Sequence, residues 1–225
     1  MEDMTATDLP PDPTLDEVRA ALAPIIARNA GFDGWSKAAV DMAAAQAGIA
    51  PAIATLAFDG GAMAMIDAWF AHIDAEMLAS CPPEKIAAMK VREKIAALVE
   101  ARLNMLAHDR EALRRALAVM AMPQNVARAA KLGWRAADRM WRAAGDTAVD
   151  YNHYSKRSLL AGIYSATILV FLNDESEAHI ETRSFLARRI EGIMRFEKTK
   201  SRWTAGRNKR PSIARFVGRL RYHAR

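Results

Sequence analysis

One run of fourteen residues, Leu159 to Leu172, constrains this chain more than any other stretch. Only Ser165 and Thr167 offer hydroxyls in it, and Tyr164 a phenol; the rest is apolar on almost every side. A helix that is apolar all round must be buried or must line an apolar cavity. The run is also too short to cross a bilayer, which takes roughly 20 residues. Directly upstream, Met140 to Arg157 is dense in aromatic, charged and amide side chains. The junction predicts a polar, partner-facing turn that feeds into an interior helix.

The remaining chain reads as helix after helix. Pro10, Pro11 and Pro13 oppose helix and predict a disordered leader over 1–13. Thr14 with Glu17 three residues on forms a capping box, and Leu15, Val18, Leu22, Ile25 and Ile26 repeat at helical spacing. Gly31 and Gly34 end that helix. A second is expected from about Ser36 to Gln46, and a third from Pro51 to Phe58 after a Gly48 turn. Three short helices of this kind outline a helix-turn-helix head over 14–59. A helical body over 60–200 then begins with Ala62 to Ala79. Next come a helix from Pro82–Pro83 to Leu106, one capped by Asp109 and one from Val126 to Ala144. The central helix stops at Asn173, and Glu177 to Thr199 follows. Trp69, Trp134 and Trp141 are expected in the core. No strand pattern or internal repeat is present, so the fold class is all-α.

Charge is distributed unevenly. The chain carries a formal +6, yet ten basic and no acidic residues lie between Lys198 and Arg225, leaving the rest near −4. Beyond a linker, Ile213, Phe216, Val217 and Leu220 share one helical face while Arg215, Arg219 and Arg221 lie largely elsewhere on the wheel. A basic amphipathic helix of this kind suits a membrane surface; a disordered basic tail with chance apolar spacing is the alternative. The single cysteine excludes an internal disulfide framework and fits a reducing compartment. Met1 to Pro13 lacks the apolar core of a secretory signal, and no Arg-rich transit segment is evident. These features point to a bacterial cytosolic protein or to a mature form, and the expected location is the cytosol, peripheral on the inner membrane's cytoplasmic face.

Catalytic constellations are weak. Five scattered histidines form no Glu-x-x-His pair of the di-iron type, and there is no phosphate loop or His-Glu-x-x-His helix. Asp146 and Asp150, four apart, read first as capping carboxylates in an interhelical turn. Nucleic-acid binding also lacks its chemistry. DNA affinity comes largely from Lys and Arg on phosphates, yet Gly31 to Asp59 holds only Lys37 against Asp33, Asp41 and Asp59. The expected recognition helix offers Ala, Ile, Thr and Leu.

The run Trp141, Gly145-Asp146 and Asp150-Tyr151-Asn152-His153-Tyr154-Ser155-Lys156-Arg157 carries a family resemblance. Leu160-Ala161-Gly162-Ile163-Tyr164 and Phe185-Leu186-Ala187-Arg188-Arg189-Ile190 extend it. The chain resembles, over roughly 14–200, the accessory lipid-binding proteins of ubiquinone biosynthesis. These have a TetR-repressor-like fold and assist the di-iron demethoxyubiquinone hydroxylase.

The resemblance implies a non-enzymatic protein, without a cofactor, that holds an isoprenoid quinone or phospholipid among its later helices. Leu159, Leu160, Ile163, Tyr164, Thr167, Ile168 and Phe171, with Ile66, Phe70, Phe185 and Ile190, are expected toward the lipid. A hydroxylase-docking patch maps onto Met140, Asp150, His153 and Tyr154. His153 departs from the more usual Trp or Tyr, which predicts a weaker or pH-sensitive contact. Packing of Tyr151 and Tyr154 in the core is the plain alternative. Membrane contact falls to Pro211–Arg225, and a homodimer through the last helices is expected, as in repressors of this shape. The competing functional reading is a TetR-type ligand-responsive regulator, with the basic tail rather than the head supplying DNA affinity.

Overall fold

The computed structural model describes residue 10 and residues 12–147 and 151–192. The expectations for most of the leader, for Asp150 and for the basic tail with Ile213, Arg215, Phe216, Val217, Arg219 and Leu220 lie outside these residues. All regular structure among the described residues is helical, as the hydrophobic spacing predicts. The helices are α1 (Leu15–Asp33), α2 (Lys37–Ala47), α3 (Pro51–Ala57), α4 (Ala62–Ser80), α5 (Pro83–Ile86), α6 (Val91–Leu106), α7 (Arg110–Met120), α8 (Val126–Ala143) and α9 (Tyr151–Asn173). A further helix, α10, covers residues 180–192. Residues through Leu186 form one compact unit, and Ala187 begins a second, described as far as residue 192.

Local chemistry sets most of these boundaries. Thr14 Oγ1 accepts from the Glu17 N–H at 3.3 Å. In return the Glu17 carboxylate accepts from the Thr14 N–H at 2.8 Å, so two orphan donors are satisfied reciprocally. Ser36 accepts from the Ala39 N–H and starts α2. Gly48 closes α2 with φ at 67°, a left-handed conformation that side chains resist. Pro51 then opens α3 at a position where a missing N–H costs nothing.

Carboxyl ends of helices are closed by arginines from elsewhere in the chain. Arg19 Nε donates to the Ala57 carbonyl at 2.7 Å, and Arg115 Nη1 to that of Phe32 at 3.1 Å. Arg110 donates to the Phe171 and Asp174 carbonyls, and Arg114 to that of Leu172. Each places a cation at the negative end of a helix dipole and fills an orphan acceptor.

Several helix expectations need correction: α1 runs through Gly31 to Asp33, and residues 177–179 form a 3-10 turn ahead of α10. The segment from Pro83 to Leu106 is not one helix: it breaks after Ile86 and restarts at Val91, where the Glu93 carboxylate accepts from the Lys90 N–H at 3.0 Å. Asp109 makes no side-chain capping bond to α7. It belongs to a short 3-10 turn, where burial raises its pKa against the opposing pull of Arg28, His108 and His72.

Helix α1 packs against α2 and α3 and also lies on α4 and α7. Trp35 donates its indole N–H to the Ala112 carbonyl on α7 at 3.0 Å and lies 5.3 Å from Trp69 on α4. On the outer side of α3, Ile53 and Leu56 are exposed, with no basic side chain on that helix.

The turn after α9 is held by Asp174. Its carboxylate accepts from the backbone N–H groups of Ser176 (2.9 Å) and Thr182 (2.8 Å) and from both their hydroxyls. Burial works to raise its pKa, but the hydrogen bonds from Ser176 and Thr182 outweigh it and hold the carboxyl well below the usual carboxylate range. A depressed carboxylate contributes stability that is complete above the unfolded pKa, about 3.9, and is lost as pH falls through the folded value. Asp174→Ala is expected to cost about 2–3 kcal/mol at neutral pH, because the buried Thr182 N–H and the half-buried Ser176 N–H lose their acceptor. Thermal unfolding from pH 7 to pH 2 checks this: the variant's deficit shrinks at the acid end.

Candidate functional site

Arg102, on α6, and Asp74, on α4, form a buried ion pair, each about 1% exposed. Arg102 Nε also donates to Tyr164 Oη at 3.0 Å, with its guanidinium 5.1 Å from the ring centre. Burial works against the Arg102 charge, but Tyr164 and Asp74 outweigh it and raise the pKa. The second Asp74 oxygen faces Arg135 Nε at 3.4 Å and Arg139 Nε at 3.3 Å, and Arg135 is also paired with Asp67.

Of this polar knot, Arg102 and Tyr164 line a cavity of about 260 Å³ among α4, α6, α7, α8 and α9. Phe70, Leu132, Ala136 and Ile168 line its buried part beside Arg102 and Tyr164. Leu117, Met120, Ala129 and Gly133 are half-buried around the opening, and Ser165 and Leu169 are exposed there. Leu169 is 59% exposed. Neighbouring Met122 and Val126, between α7 and the first turn of α8, are exposed as well.

Of the residues expected toward a lipid, Phe70, Tyr164 and Ile168 line this cavity. Leu160, Thr167, Phe171 and Ile66 are buried away from it, with Phe171 between the Arg110 guanidinium and His179. Leu159 is exposed, and Ile163 and Phe185 are half-buried. Ile190 is buried and belongs to the second unit. The apolar run is therefore not enclosed on all sides. Leu160, Tyr164, Thr167, Ile168 and Phe171 face inward, whereas Leu159, Ile163, Ala166 and Leu169 form an outer stripe.

The second region lies where α8 meets the start of α9. Tyr154 is 61% exposed, 5.1 Å from the His153 ring and 6.0 Å from that of Trp134, while His153 and Trp134 are 6.3 Å apart. The polar segment expected as a turn supplies the first two turns of α9. Trp134, expected in the core, is half-buried and joins the two patch residues. Met140, expected on the patch, is completely buried, because it shares the inward stripe of α8 with Leu132, Ala136 and Ala137.

A charged network ties this end of α9 to α8 and the turn before it. Buried Arg157 donates to Asp138 at 2.6 Å, to Asp146 at 3.0 Å and to the His153 carbonyl at 3.2 Å. Lys156 donates to Asp146 at 2.6 Å and lies over the Trp141 ring, whose N–H donates to the Lys156 carbonyl. Asp146 thus anchors α9 by pairing with cations ten and eleven residues on. Burial acts to raise its pKa, and the hydrogen bonds from Lys156 and Arg157 reverse that and lower it. No group of His, Cys, Asp or Glu suited to a metal occurs among the described residues. None of the described helices is by itself long and apolar enough to cross a membrane.

Residues 126–197 match the COQ9 family model. The mitochondrial ubiquinone biosynthesis protein COQ9 of Rattus norvegicus is 41% identical over 101 residues, 45% of this chain and 32% of that protein. The Bos taurus protein of the same name is 30% identical over 172 residues, 74% of this chain and 54% of its own length. That of Drosophila melanogaster is 26% identical over 187 residues, covering 81% and 57%. The matched regions thus span about a third to just over half of these relatives. Among solved structures, a TetR transcriptional regulator from Nitrosomonas europaea superposes with a TM-score of 0.62 at 25% identity, covering 77% of this chain and 96% of the other. The resemblance drawn from the 140–190 region and the all-α expectation are both borne out: this chain belongs to the COQ9 family and has a TetR-like helical fold.

Proposed function

We propose that this protein is a non-enzymatic carrier in ubiquinone biosynthesis, which binds an isoprenoid quinone precursor and presents it to a di-iron hydroxylase at a membrane surface. The observation that carries the reading is the cavity opening between α7, α8 and α9, apolar along most of its wall and bordered by exposed Leu169. Names of the relatives support the pathway, since they are ubiquinone biosynthesis proteins. The clustered rings of Trp134, His153 and Tyr154 support a docking patch, because exposed aromatic side chains around a partly desolvated centre are the usual anchors of a protein interface. Asp150 belongs to the same proposed patch by sequence. The basic segment Lys198–Arg225 would hold the protein on anionic lipid, with Ile213, Phe216, Val217 and Leu220 toward the acyl region. A homodimer through the last helices is part of the reading.

The competing regulator reading draws on the structural likeness to a TetR protein. Against it stands the head, where Lys37 is the one basic residue between Gly31 and Asp59. A sequence-selective, steeply salt-dependent shift of DNA would reinstate it.

Mass spectrometry of an organic extract of the purified protein tests the carrier. A prenylated quinone or precursor is expected in the wild type and lost in Leu132→Trp, which fills the cavity. An extract without prenyl lipid, together with no binding of added prenyl lipid, overturns the reading.

A further inference from the structure

The cavity sets two polar side chains, Arg102 and Tyr164, in its buried part among apolar Phe70, Leu132, Ala136 and Ile168, and its opening is apolar apart from Ser165. Leu117, Met120 and Leu169 border the way out. Tyr164 Oη already accepts from Arg102 Nε, and its own hydrogen meets no acceptor among the described residues. A buried hydroxyl that gives up its solvent partners without gaining an acceptor costs free energy, and most buried polar groups are satisfied. An acceptor oxygen on a ligand would complete it.

Size and charge narrow the ligand further. The cavity holds about 260 Å³. That is the small end of small-molecule sites, which start at about 300 Å³. It has room for a substituted ring and the beginning of a tail, not for a long polyprenyl chain. Within the cavity lining the one cation, Arg102, is already neutralised by Asp74. The remaining guanidiniums around Asp74, those of Arg135 and Arg139, do not line the cavity and are partly solvated. An anionic head would therefore bring unbalanced charge into an apolar space, which is strongly unfavourable.

We propose that the Arg102–Tyr164 part of the cavity receives the oxygen-bearing ring of a neutral amphiphile, ring first, with its hydrocarbon tail leaving past Leu117, Met120 and Leu169. This rests on the carrier reading above and adds the orientation and the recognising groups. Tyr164 donates to a carbonyl, methoxy or phenolic oxygen of the ring, and Arg102 keeps the phenol oriented by occupying one of its lone pairs. Tyr164 lies ten residues beyond Tyr154 on α9, about 15 Å along a helix axis. A ring held there is withdrawn from the aromatic patch, so this is a storage position from which the ring must move outward to be presented.

Titration calorimetry on the full chain tests the orientation with four defined probes: ubiquinone with one isoprene unit, prenylbenzene, farnesyl phosphate and a long-tailed ubiquinone. The wild type is expected to bind the short quinone about tenfold more tightly than the oxygen-free prenylbenzene, the worth of one good hydrogen bond. Tyr164→Phe, which keeps the ring and the packing, is expected to abolish that preference and leave prenylbenzene binding unchanged. A preference that survives Tyr164→Phe, or no preference in the wild type, overturns the proposal; the wild-type comparison decides it even if the variant does not fold. Tighter binding of farnesyl phosphate than of the short quinone overturns the neutral-head assignment. Binding of only the long-tailed quinone leaves the carrier reading standing and removes the ring-first orientation, whereas failure of every probe removes the carrier reading itself.

Discussion

Replacing Arg102 by methionine is expected to cost about 3 kcal/mol or more of folding stability, within the range for breaking a buried ion pair. The loss has two sources. Asp74, about 1% exposed, is left with Arg135 and Arg139 at 3.4 and 3.3 Å in place of a direct bonded partner. Tyr164 loses its donor in the same step. Both remaining arginines temper the cost, which sets it at the lower end of the range. The double variant Arg102→Met/Asp74→Leu is expected to recover most of it, since an apolar pair of similar volume removes the stranded charge. Urea midpoints at unchanged slope measure this. A stable single variant would mean that Asp74 is neutralised by Arg135 and Arg139 alone.

The second large effect concerns binding. Tyr154→Ala is expected to weaken association with a demethoxyubiquinone hydroxylase about thirtyfold, corresponding to about 2 kcal/mol for an interfacial aromatic anchor. Tyr154 is 61% exposed, so stability should scarcely change and the two readouts separate cleanly. Trp134→Ala is expected to weaken the same association, because its ring is 6.0 Å from that of Tyr154. Unchanged hydroxylase binding by the Tyr154 variant, measured by surface plasmon resonance, would remove the patch assignment.

Much of the candidate site can be read from the chain, and its gaps have physical causes. Tyr164 and Ile168 are expected in a cavity because an unbroken apolar run has to be covered, and Phe70 because it lies on the apolar stripe of α4. Met140 is misplaced because a family pattern gives a position in sequence, not the side of the helix on which it stands. Arg102 and Asp74 escape the pattern of apolar positions although a signal exists. Arg102 is spaced three, four and seven residues from Val99, Leu98 and Ile95, and Asp74 three and four from Met77 and Phe70, so both charges lie on buried stripes. Arg157 repeats the pattern, three and seven residues before Leu160 and Tyr164. A charge on an apolar stripe signals a buried pair, and periodicity alone does not name its partner.

What the sequence determined by itself is local: the capping box of Thr14 and Glu17, the Gly48 turn, the Pro51 start and the order of amphipathic helices. These rest on interactions within a few residues, whose energetics hardly depend on the remaining chain. Tertiary structure alone decided the rest. Arg102 meets Asp74 across 28 residues and Tyr164 across 62, and Arg110 closes α9 from 61 residues away. Such contacts depend on how whole helices pack, and side-chain complementarity across the interior selects that packing. The cavity is the space this packing leaves among α4, α6, α7, α8 and α9, so no single segment of the chain encodes it.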